Sequence, residues 1–450
     1  MIAFHAKVAA ARAAAGLSRR AGTGGGTSLP GKLLLRMAPD AIDRLSDRLP
    51  DGAVAISATN GKTTTAKMLA SMLEPERHLC RNAAGANLAS GIASALIRRG
   101  DAELGVFEVD EAALEHVVPA LRPRVLGLGN LFRDQLDRYG ELEAVAARWR
   151  RVAEAASGRL VRNADDPLVA SLPAGSEPLA YGIDHPAAAL AALPHAADSK
   201  WCGRCGGRLE YEAVYLGHLG AWSCTSCGTS RPALDVRASD LAFHGLDATE
   251  LTLSTPLGTR RLRMPLPGLY NVYNALAAVS LGCALGDVSL DRMARGLEGF
   301  GAAFGRFERM AVNGRQAVLV LAKNPAGANE VIRTLATDPE PKALVVALND
   351  RIADGRDVSW IWDVDFELLA GGVESVVTSG TRAAEMAVRL KYAGVDPDLL
   401  RVEPDPAAAL DLSLARGTGP VYALTTYTAM LELRGTLTRR GVVPPYWEAA

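Results

Sequence analysis

One hexapeptide restricts the fold of this chain more than any other segment: Thr59-Asn60-Gly61-Lys62-Thr63-Thr64. It follows an apolar run at residues 54–56 and precedes a helical pattern at residues 67–73. Glycine lets backbone N–H groups approach phosphate, and a helix N-terminus attracts negative charge. Lys62 would neutralise β- and γ-phosphates, and the Thr63 hydroxyl would ligate Mg²⁺. The segment therefore predicts ATP and Mg²⁺ binding, although Ile56 stands where the standard phosphate-loop pattern begins with glycine. A capped helix at a tight turn is the alternative.

A second metal ligand is predicted at Glu108, which ends the apolar run at residues 105–107. In parallel sheets, ligands bind at the carboxyl ends of strands, and Mg²⁺ prefers hard oxygen ligands. A solvated charge at a strand end is the alternative.

Short apolar runs alternate with helical patterns through most of the chain, which indicates an α/β fold with parallel sheets. The first series includes residues 54–56, 105–107 and 125–128, and residues 251–253 and 261–264 predict a hairpin. A second series at residues 317–321, 343–347, 373–378 and 421–425 predicts a doubly wound C-terminal domain. We divide the 450 residues into 1–50 (helix and glycine-rich loop), 51–305 (central ATP-binding domain) and 306–450 (C-terminal α/β domain).

Charge and hydropathy exclude several classes of function. The 49 basic residues nearly cancel the 50 acidic ones, so the net charge does not favour nucleic acid or a membrane surface as a partner. No apolar run approaches the roughly 18 residues of a membrane span. Basic residues interrupt the Ala-rich N-terminus, which suits an amphipathic helix better than a signal peptide. We expect a cytoplasmic protein.

Four cysteines indicate a metal site: Cys202, Cys205, Cys224 and Cys227. Two Cys-x₂-Cys pairs separated by 18 residues, with glycines beside them, are typical of a tetrahedral Zn²⁺ site. Four thiolates leave no open coordination position, so the zinc would be structural. They lie in a segment of about 195–235 that interrupts the α/β pattern and is predicted to be an inserted zinc ribbon. Paired disulfides or a redox pair are the alternatives.

Four segments occur together in one order: Thr59-Asn60-Gly61-Lys62-Thr63-Thr64, Glu108-Val109-Asp110-Glu111, Asn163-Ala164-Asp165-Asp166-Pro167 and Gly268-Leu269-Tyr270-Asn271-Val272-Tyr273-Asn274-Ala275. Together they resemble the Mur ligase family. The resemblance implies that Lys62 and Thr63 hold phosphates and Mg²⁺, that Glu108 completes the metal shell and that Asn271 contacts adenine. Gly305-Arg306-Phe307-Glu308 is similar to the Gly-Arg that begins the family's third domain, which makes Arg306 a candidate clamp on the γ-phosphate.

Two departures separate this chain from the amino-acid-adding members of that family. Gln135 occupies the position of a metal-binding histidine, which puts a second Mg²⁺ there in doubt. Those ligases also use a carbamylated lysine, yet no lysine lies between Lys67 and Lys200.

The chain is similar along essentially its whole length to one branch of the family, the MurT ligases. The similar segments are residues 323–330 and 348–363, together with the zinc ribbon and the glycine-rich loop at residues 24–31. The MurT ligases are synthetase subunits of lipid II isoglutaminyl synthase and work in a heterodimer with a glutaminase called GatD. The resemblance implies ATP-dependent amidation of the D-glutamate α-carboxylate in the peptidoglycan stem peptide, through an acyl phosphate. Contact with the membrane would come through the lipid-linked substrate only.

The resemblance also implies that an aspartate of this chain completes the catalytic triad of the glutaminase. Asp350, Asp354 and Asp357 are the candidates here, and a capping or surface-turn role is the alternative for each. Trp360 and Trp362 follow them, and we expect core positions in preference to a subunit interface.

Two other functions remain open at this point. The first is a stand-alone Mur-type ligase that adds an amino acid or polyglutamate, which Gln135 and the missing lysine disfavour. The second is a zinc-ribbon nucleic-acid module with an ATPase, which the neutral net charge disfavours.

Overall fold

The alternation of strands and helices is present in the computed structural model, which confirms the predicted α/β class. The structure describes residues 2–20, 28–83, 85–134, 141–173, 175, 177–194, 197–301, 307–337, 340–416 and 419–444. In chain order, the strands of this part are β1 (Ala53–Ser57), β2 (Leu79–Arg81), β3 (Leu104–Glu108), β4 (Val125–Leu128), β5 (Arg159–Asn163), β6 (Leu179–Ile183), β7 (Leu209–Leu216), β8 (Leu219–Cys224), β9 (Val236–His244), β10 (Ala248–Thr255), β11 (Gly258–Met264), β12 (Glu308–Val312), β13 (Arg315–Leu321), β14 (Lys342–Ala347), β15 (Val373–Ser379), β16 (Leu400–Val402) and β17 (Val421–Thr425).

The helices of the described residues follow the same order. They are α1 (Ile2–Arg20), α2 (Leu29–Met37), α3 (Ala41–Ser46), α4 (Lys62–Leu73), α5 (Ala89–Arg98), α6 (Leu114–Leu121), α7 (Leu142–Ala155), α8 (Pro167–Ala170), α9 (Leu269–Leu285), α10 (Leu290–Glu298), α11 (Pro325–Ala336), α12 (Ala383–Tyr392), α13 (Pro406–Leu414) and α14 (Tyr427–Arg439). Short 3₁₀ helices lie at Pro186–Ala188, Ser359–Asp363, Phe366–Leu369 and Pro397–Leu399. None of the described helices combines the length and the apolar composition that crossing a bilayer requires.

The first sheet has nine strands in the order β11-β10-β9-β6-β5-β4-β1-β3-β2. Pairing is parallel from β2 to β9 and antiparallel from β9 to β11, where the predicted hairpin lies. Every residue of β1 is buried, because helices cover both faces of the sheet. One face packs against α4, α9 and α10, and the other against α2, α5 and α7.

The second sheet has six strands in the order β12-β13-β17-β14-β15-β16. Its pairing is parallel except between β12 and β13. Apolar clusters on both faces give it a doubly wound form, as predicted. The strands β7 and β8 pair only with each other within the described chain and form a separate hairpin.

Candidate active site

The predicted phosphate loop connects β1 to α4. Gly61 immediately precedes the helix and has φ +91°, a left-handed conformation that glycine adopts without strain. The loop is held by the segment after β4. Asn130 clamps Asn60, because its side-chain oxygen accepts from the Asn60 N–H at 2.9 Å and its amide donates to the Asn60 carbonyl at 3.0 Å. The Thr59 hydroxyl also accepts a 3.1 Å hydrogen bond from the Phe132 N–H.

Lys62 lies at the start of α4, and its ammonium contacts Glu111 at 2.7 Å and the Ala58 carbonyl. Burial alone would lower the pKa of Lys62, but Glu111, with help from Asp110 and Glu108, raises it above its ordinary value. The ammonium is therefore charged at neutral pH, which is the state that binding of phosphate requires.

Thr63 and Glu108 lie together, as a shared magnesium ion requires. The Thr63 hydroxyl donates to a Glu108 carboxylate oxygen at 2.6 Å. Asn82 and Gly85 orient Glu108, since Asn82 pairs with its backbone and the Gly85 N–H donates to its other carboxylate oxygen at 3.1 Å. A hydroxyl and a carboxylate at the end of a strand are hard oxygen donors that fit Mg²⁺. The neighbouring Thr64 hydroxyl is buried and finds no hydrogen-bond partner among the described residues, so the loop has an unused polar group.

A cleft separates the loop from the second sheet. Asn60, Gly61 and Asn130 line one side, and residues of α11 line the other. Tyr270 and Phe307 also line it, and their rings stack with centroids 6.4 Å apart. A polar loop beside two aromatic rings suits a nucleotide, which has both phosphates and a flat base.

Asn271, the predicted contact of adenine, is buried in α9. Its amide donates to the Pro267 carbonyl at 2.7 Å, and its oxygen accepts from Asn274 at 3.3 Å. Asn274, one helical turn further on, lines the cleft. The role of Asn271 stays a prediction. Sequence reasoning missed Asn274, although its spacing of three residues from Asn271 places both on one helical face.

Several predicted features lie outside the described residues. These are Arg306, Gln135 and residues 24–27 of the glycine-rich loop, whose last residues, 29–31, belong to α2. Their roles stay predictions.

The four cysteines converge at the base of the β7–β8 hairpin, and their Sγ atoms all lie within 4.8 Å of one another. The pairs Cys202–Cys227 and Cys205–Cys224 are 3.8 Å and 3.5 Å apart, close to the edge of about 3.8 Å expected for a tetrahedron of sulfurs about 2.3 Å from zinc. Hydrogen bonds with Thr229 lower the pKa of Cys227 to about 6, which favours a thiolate. The donor set fits structural zinc.

The three candidate aspartates have different surroundings. Asp350 accepts from the Thr381 hydroxyl at 2.7 Å and from Arg382 at 2.8 Å. Asp354 is only 3% exposed and accepts from Thr428 at the start of α14. Asp357 is exposed and accepts from the Ser359 N–H at 2.8 Å.

The two nearby tryptophans are not both core residues. Trp360 is half-buried, whereas Trp362 is 53% exposed and lies against Tyr392, with ring centroids 5.9 Å apart. The predicted core position was wrong for Trp362. Both tryptophans lie in a 3₁₀ helix, which has three residues per turn, so residues two positions apart lie on different faces.

Known proteins resemble this chain in sequence and in fold. The Mur ligase middle domain model matches residues 56–204, and the MurT ligase C-terminal model matches residues 321–430. The MurT subunit of lipid II isoglutaminyl synthase (glutamine-hydrolyzing) from Streptococcus pneumoniae is 33% identical over 431 residues, which is 93% of this chain and 94% of that protein. The subunit of the same name from Staphylococcus aureus strain N315 is 32% identical over 92% of this chain and 93% of its own length.

Among solved structures, a pseudomurein peptide ligase type C from Methanothermus fervidus has a TM-score of 0.68 at 22% identity, covering 88% of this chain and 80% of that one. Folylpolyglutamate synthase from Mycobacterium tuberculosis has a TM-score of 0.62 at 15% identity, covering 93% and 99%. These likenesses concern the fold. The sequence relatives, in contrast, cover nearly the whole chain. The chain belongs to the MurT family of the Mur ligases, which are ATP-dependent ligases.

Proposed function

We propose that this chain is the synthetase subunit of a lipid II isoglutaminyl synthase. It would convert the D-glutamate α-carboxylate of the stem peptide into the amide of D-isoglutamine, using ammonia from a GatD-like glutaminase. One observation carries the proposal: the Thr63–Glu108 pair adjoins both the phosphate loop and a cavity suited to an acid. The names of the relatives, which specify lipid II isoglutaminyl synthase, agree with it.

The cavity beside the metal ligands has the charge that an acidic acceptor requires. It is lined by Thr63 and Asn82, by the carboxylates Glu74 and Glu108, and by the cations Lys67, Arg81 and Arg98. Arg81 pairs with Glu74 at 2.9 Å, and the three cations outnumber the two carboxylates. A carboxylate bound there would lie next to the γ-phosphate of a nucleotide held by Lys62 and Thr63. The cations would offset its repulsion from the phosphates.

The reaction proposed for this site has two balanced steps. A carboxylate oxygen attacks the γ-phosphorus, the bond to the β-phosphate oxygen breaks, and ADP and an acyl phosphate form. Ammonia then attacks the acyl carbon, and phosphate leaves with the bonding electrons while ammonia loses a proton. Lys62 would stabilise the charge on the transferred phosphoryl group. Arg306, which the family resemblance assigns to the γ-phosphate, would do the same. Mg²⁺, when held by Thr63 and Glu108, would neutralise the phosphate oxygens.

The source of ammonia is proposed to be a second polypeptide. A glutaminase of this kind uses a reactive cysteine, which requires a thiolate at neutral pH. Burial raises the pKa of Cys80 to about 12 and that of Cys283 to about 11, and the other four cysteines are the candidate zinc ligands. These surroundings make the chain's own thiols unsuited to hydrolysing glutamine.

Asp357 is the best candidate for the aspartate that orients the partner's histidine. Asp354 is buried against α14, and both carboxylate oxygens of Asp350 are already bonded. Asp357 is exposed, and its hydrogen bond from Ser359 lowers its pKa, so it is ionised at neutral pH. An accessible carboxylate is what a histidine on another subunit needs. The exposed side chains of Ile352 and Trp362 lie on the same segment and would add apolar contact area with that subunit.

The test of the proposed function combines the chain with a GatD-like glutaminase, ATP, glutamine and lipid II, and detects amidated lipid II by mass spectrometry. With glutamine as the nitrogen source, we expect amidation to require both polypeptides. With ammonium, we expect this chain to amidate lipid II without the glutaminase. Absence of amidated lipid II, with ammonium as well as with an active glutaminase, would falsify the proposal. Release of ADP that depends on an added amino acid would instead indicate the stand-alone ligase.

For Asp357→Asn, we expect glutamine-dependent amidation to fall by about a hundredfold or more, while ammonium-dependent amidation stays near that of the native chain. The matched control is Asp396→Asn, since Asp396 is also exposed and also accepts from a backbone N–H at the start of a 3₁₀ helix. Equal loss with both nitrogen sources would contradict the assignment of Asp357 to the glutaminase site.

A further inference from the structure

Residues 202–227, which comprise the β7–β8 hairpin and its four cysteines, form a unit that we name the zinc hairpin. Its candidate metal ligands lie at one end and the nucleotide cleft at the other. Cys202 and Cys205 precede β7, and Cys224 and Cys227 lie at or just after the end of β8. The turn between the strands contains Gly217 and His218. With about 3.3 Å per residue, the tip lies roughly 20–25 Å from the cysteines.

The tip of the hairpin forms part of the cleft wall. Leu216 and Leu219, which flank the turn, both line the cleft. His218 is fully buried, and its ring centroid lies 4.8 Å from that of Phe132. Gly217 has φ +58°, and a β-carbon there would lie 2.8 Å from the Phe132 ring, so the tip fits closely against that side chain.

Phe132 connects the tip to the phosphate loop. Its ring lines the cleft, and its backbone N–H donates to the Thr59 hydroxyl at 3.1 Å. Movement of the tip would therefore reach the loop through one residue.

A buried aspartate, Asp165, provides a second connection between the hairpin and the cleft through its backbone and its side chain. The Asp165 carbonyl accepts from the Gly220 N–H of β8 at 2.9 Å. Its carboxylate accepts from the Tyr273 hydroxyl at 2.7 Å and from Arg231 at 3.0 Å. Tyr273 lines the cleft, so one aspartate fixes both the hairpin and a wall of the cleft.

The two ends of the hairpin are supported differently. Near the tip, Tyr215, Leu216 and Leu219 belong to the large apolar core under the first sheet. The apolar cluster near the cysteines is small, with Trp222 and Leu209 as its larger buried members. Binding of a structural metal contributes folding free energy directly, so occupancy of the four thiolates would decide how firmly the base of the hairpin is held.

We infer that the zinc hairpin is a positioning element for ATP: Leu216, His218 and Leu219 shape the nucleotide cleft, and metal occupancy of the four cysteines sets nucleotide affinity. The inference rests on nucleotide binding in this cleft and not on the acceptor or the source of ammonia. Coupling between two binding sites is reciprocal, so ATP must also strengthen retention of the metal.

The first experiment measures ATP affinity of the full chain alone by calorimetry, and zinc content by atomic absorption. We expect Leu219→Ala to weaken ATP binding by about tenfold with unchanged zinc content. Leu262→Ala is the matched control, because Leu262 is an equally buried core leucine of β11 that does not line the cleft. ATP affinity of the Leu219→Ala chain within twofold of the native value would overturn the inference.

The second experiment titrates the native chain to equilibrium with a chromogenic zinc chelator, with and without ATP and Mg²⁺. We expect ATP to raise severalfold the chelator concentration that removes half of the zinc, and the zinc-depleted chain to bind ATP at least about tenfold more weakly. Equal half-removal concentrations under the two conditions would overturn the inference. This measurement needs no variant, so a cysteine variant that fails to fold does not affect it. Neither experiment uses lipid II or glutaminase, so failure here is distinct from failure of the proposed amidation.

Discussion

At the scale of single residues, Gly61 shows how strictly the phosphate loop is specified. Its φ of +91° disfavours any residue with a β-carbon. A β-carbon at this position would also lie 2.0 Å from the side-chain oxygen of Asn274. The loop and α9 approach each other so closely that only glycine fits between them.

We predict that Gly61→Ala weakens ATP binding by about a hundredfold or more, because either the loop or Asn274 must move to make room for the β-carbon. Calorimetric titration with ATP measures this. Gly371→Ala is the control, since a β-carbon there meets no atom within 4 Å and the residue has no positive φ. Native-like ATP affinity of the Gly61→Ala chain would contradict this account of the loop.

At the scale of elements, α11 brings a buried acid to the cleft. Asn324 caps the helix by accepting from the Gly327 N–H at 2.8 Å, and Pro325 begins it. Glu330 faces the cleft one turn later and accepts from Arg333 at 2.8 Å. Burial raises the pKa of Glu330 to about 7, although Arg333 opposes the rise.

This raised pKa gives stability a defined dependence on pH. Between about pH 4.5 and 7, the folded chain holds a proton on Glu330 that the unfolded chain has released. The contribution of Glu330 to stability is therefore complete below pH 4.5 and is lost as pH rises through 7. Glutamine does not titrate, so the Glu330→Gln chain does not lose this contribution as pH rises. The melting temperature of the variant minus that of the native chain should therefore increase by about 2 °C or more from pH 5 to pH 8.

Differential scanning fluorimetry at the two pH values measures this change, with Glu385→Gln as the control. Arg382 lowers the pKa of Glu385, so that acid stabilises the fold at higher pH and its substitution should show no such increase. A constant difference between Glu330→Gln and the native chain across this range would contradict a raised pKa in the folded state.

At the scale of the whole molecule, the carboxyl ends of strands from both sheets meet at the cleft. Asn60 follows β1 and exchanges hydrogen bonds of 3.0 Å and 3.3 Å with Asn324, which follows β13. Lys323, beside Asn324, forms an ion pair with Asp134, whose side chain is almost fully buried. These contacts fix the distance between the phosphate loop and α11.

We predict a coupling of about 1–3 kcal/mol between Asp134 and Lys323 in a double-mutant cycle of Asp134→Asn and Lys323→Met, because removal of either partner leaves the other charge poorly solvated. Urea unfolding of the four chains measures it. Asp411 and Arg440 form the control pair, since both are exposed and their coupling should stay below about 1 kcal/mol. Equal couplings for the two pairs would contradict a special role for the buried one.

Much of the fold and part of the site could be predicted, because their signals are local. The strand before Gly61 and the helix after it were predicted from neighbouring residues alone. The spacing within each Cys-x₂-Cys pair likewise predicts that its two thiols lie close together. The clamp of Asn130 on Asn60 joins residues 70 apart, and Gly217, in the turn of the β7–β8 hairpin, lies against Phe132, which follows β4 of the first sheet. Sequence patterns do not encode such pairings, because they depend on strand order and on how the hairpin folds back.

The sequence by itself determined the α/β class, the phosphate loop with its lysine and threonine, and the cluster of thiols, because strand periodicity, helix initiation and ligand spacing are properties of neighbouring residues. Only the tertiary structure decided that Asn274 lines the cleft, that Asp357 is the most exposed of the three candidate aspartates and that the tip of the β7–β8 hairpin lies in the wall of that cleft. These outcomes depend on burial and on contacts between distant segments, which arise only when the sheets and helices pack.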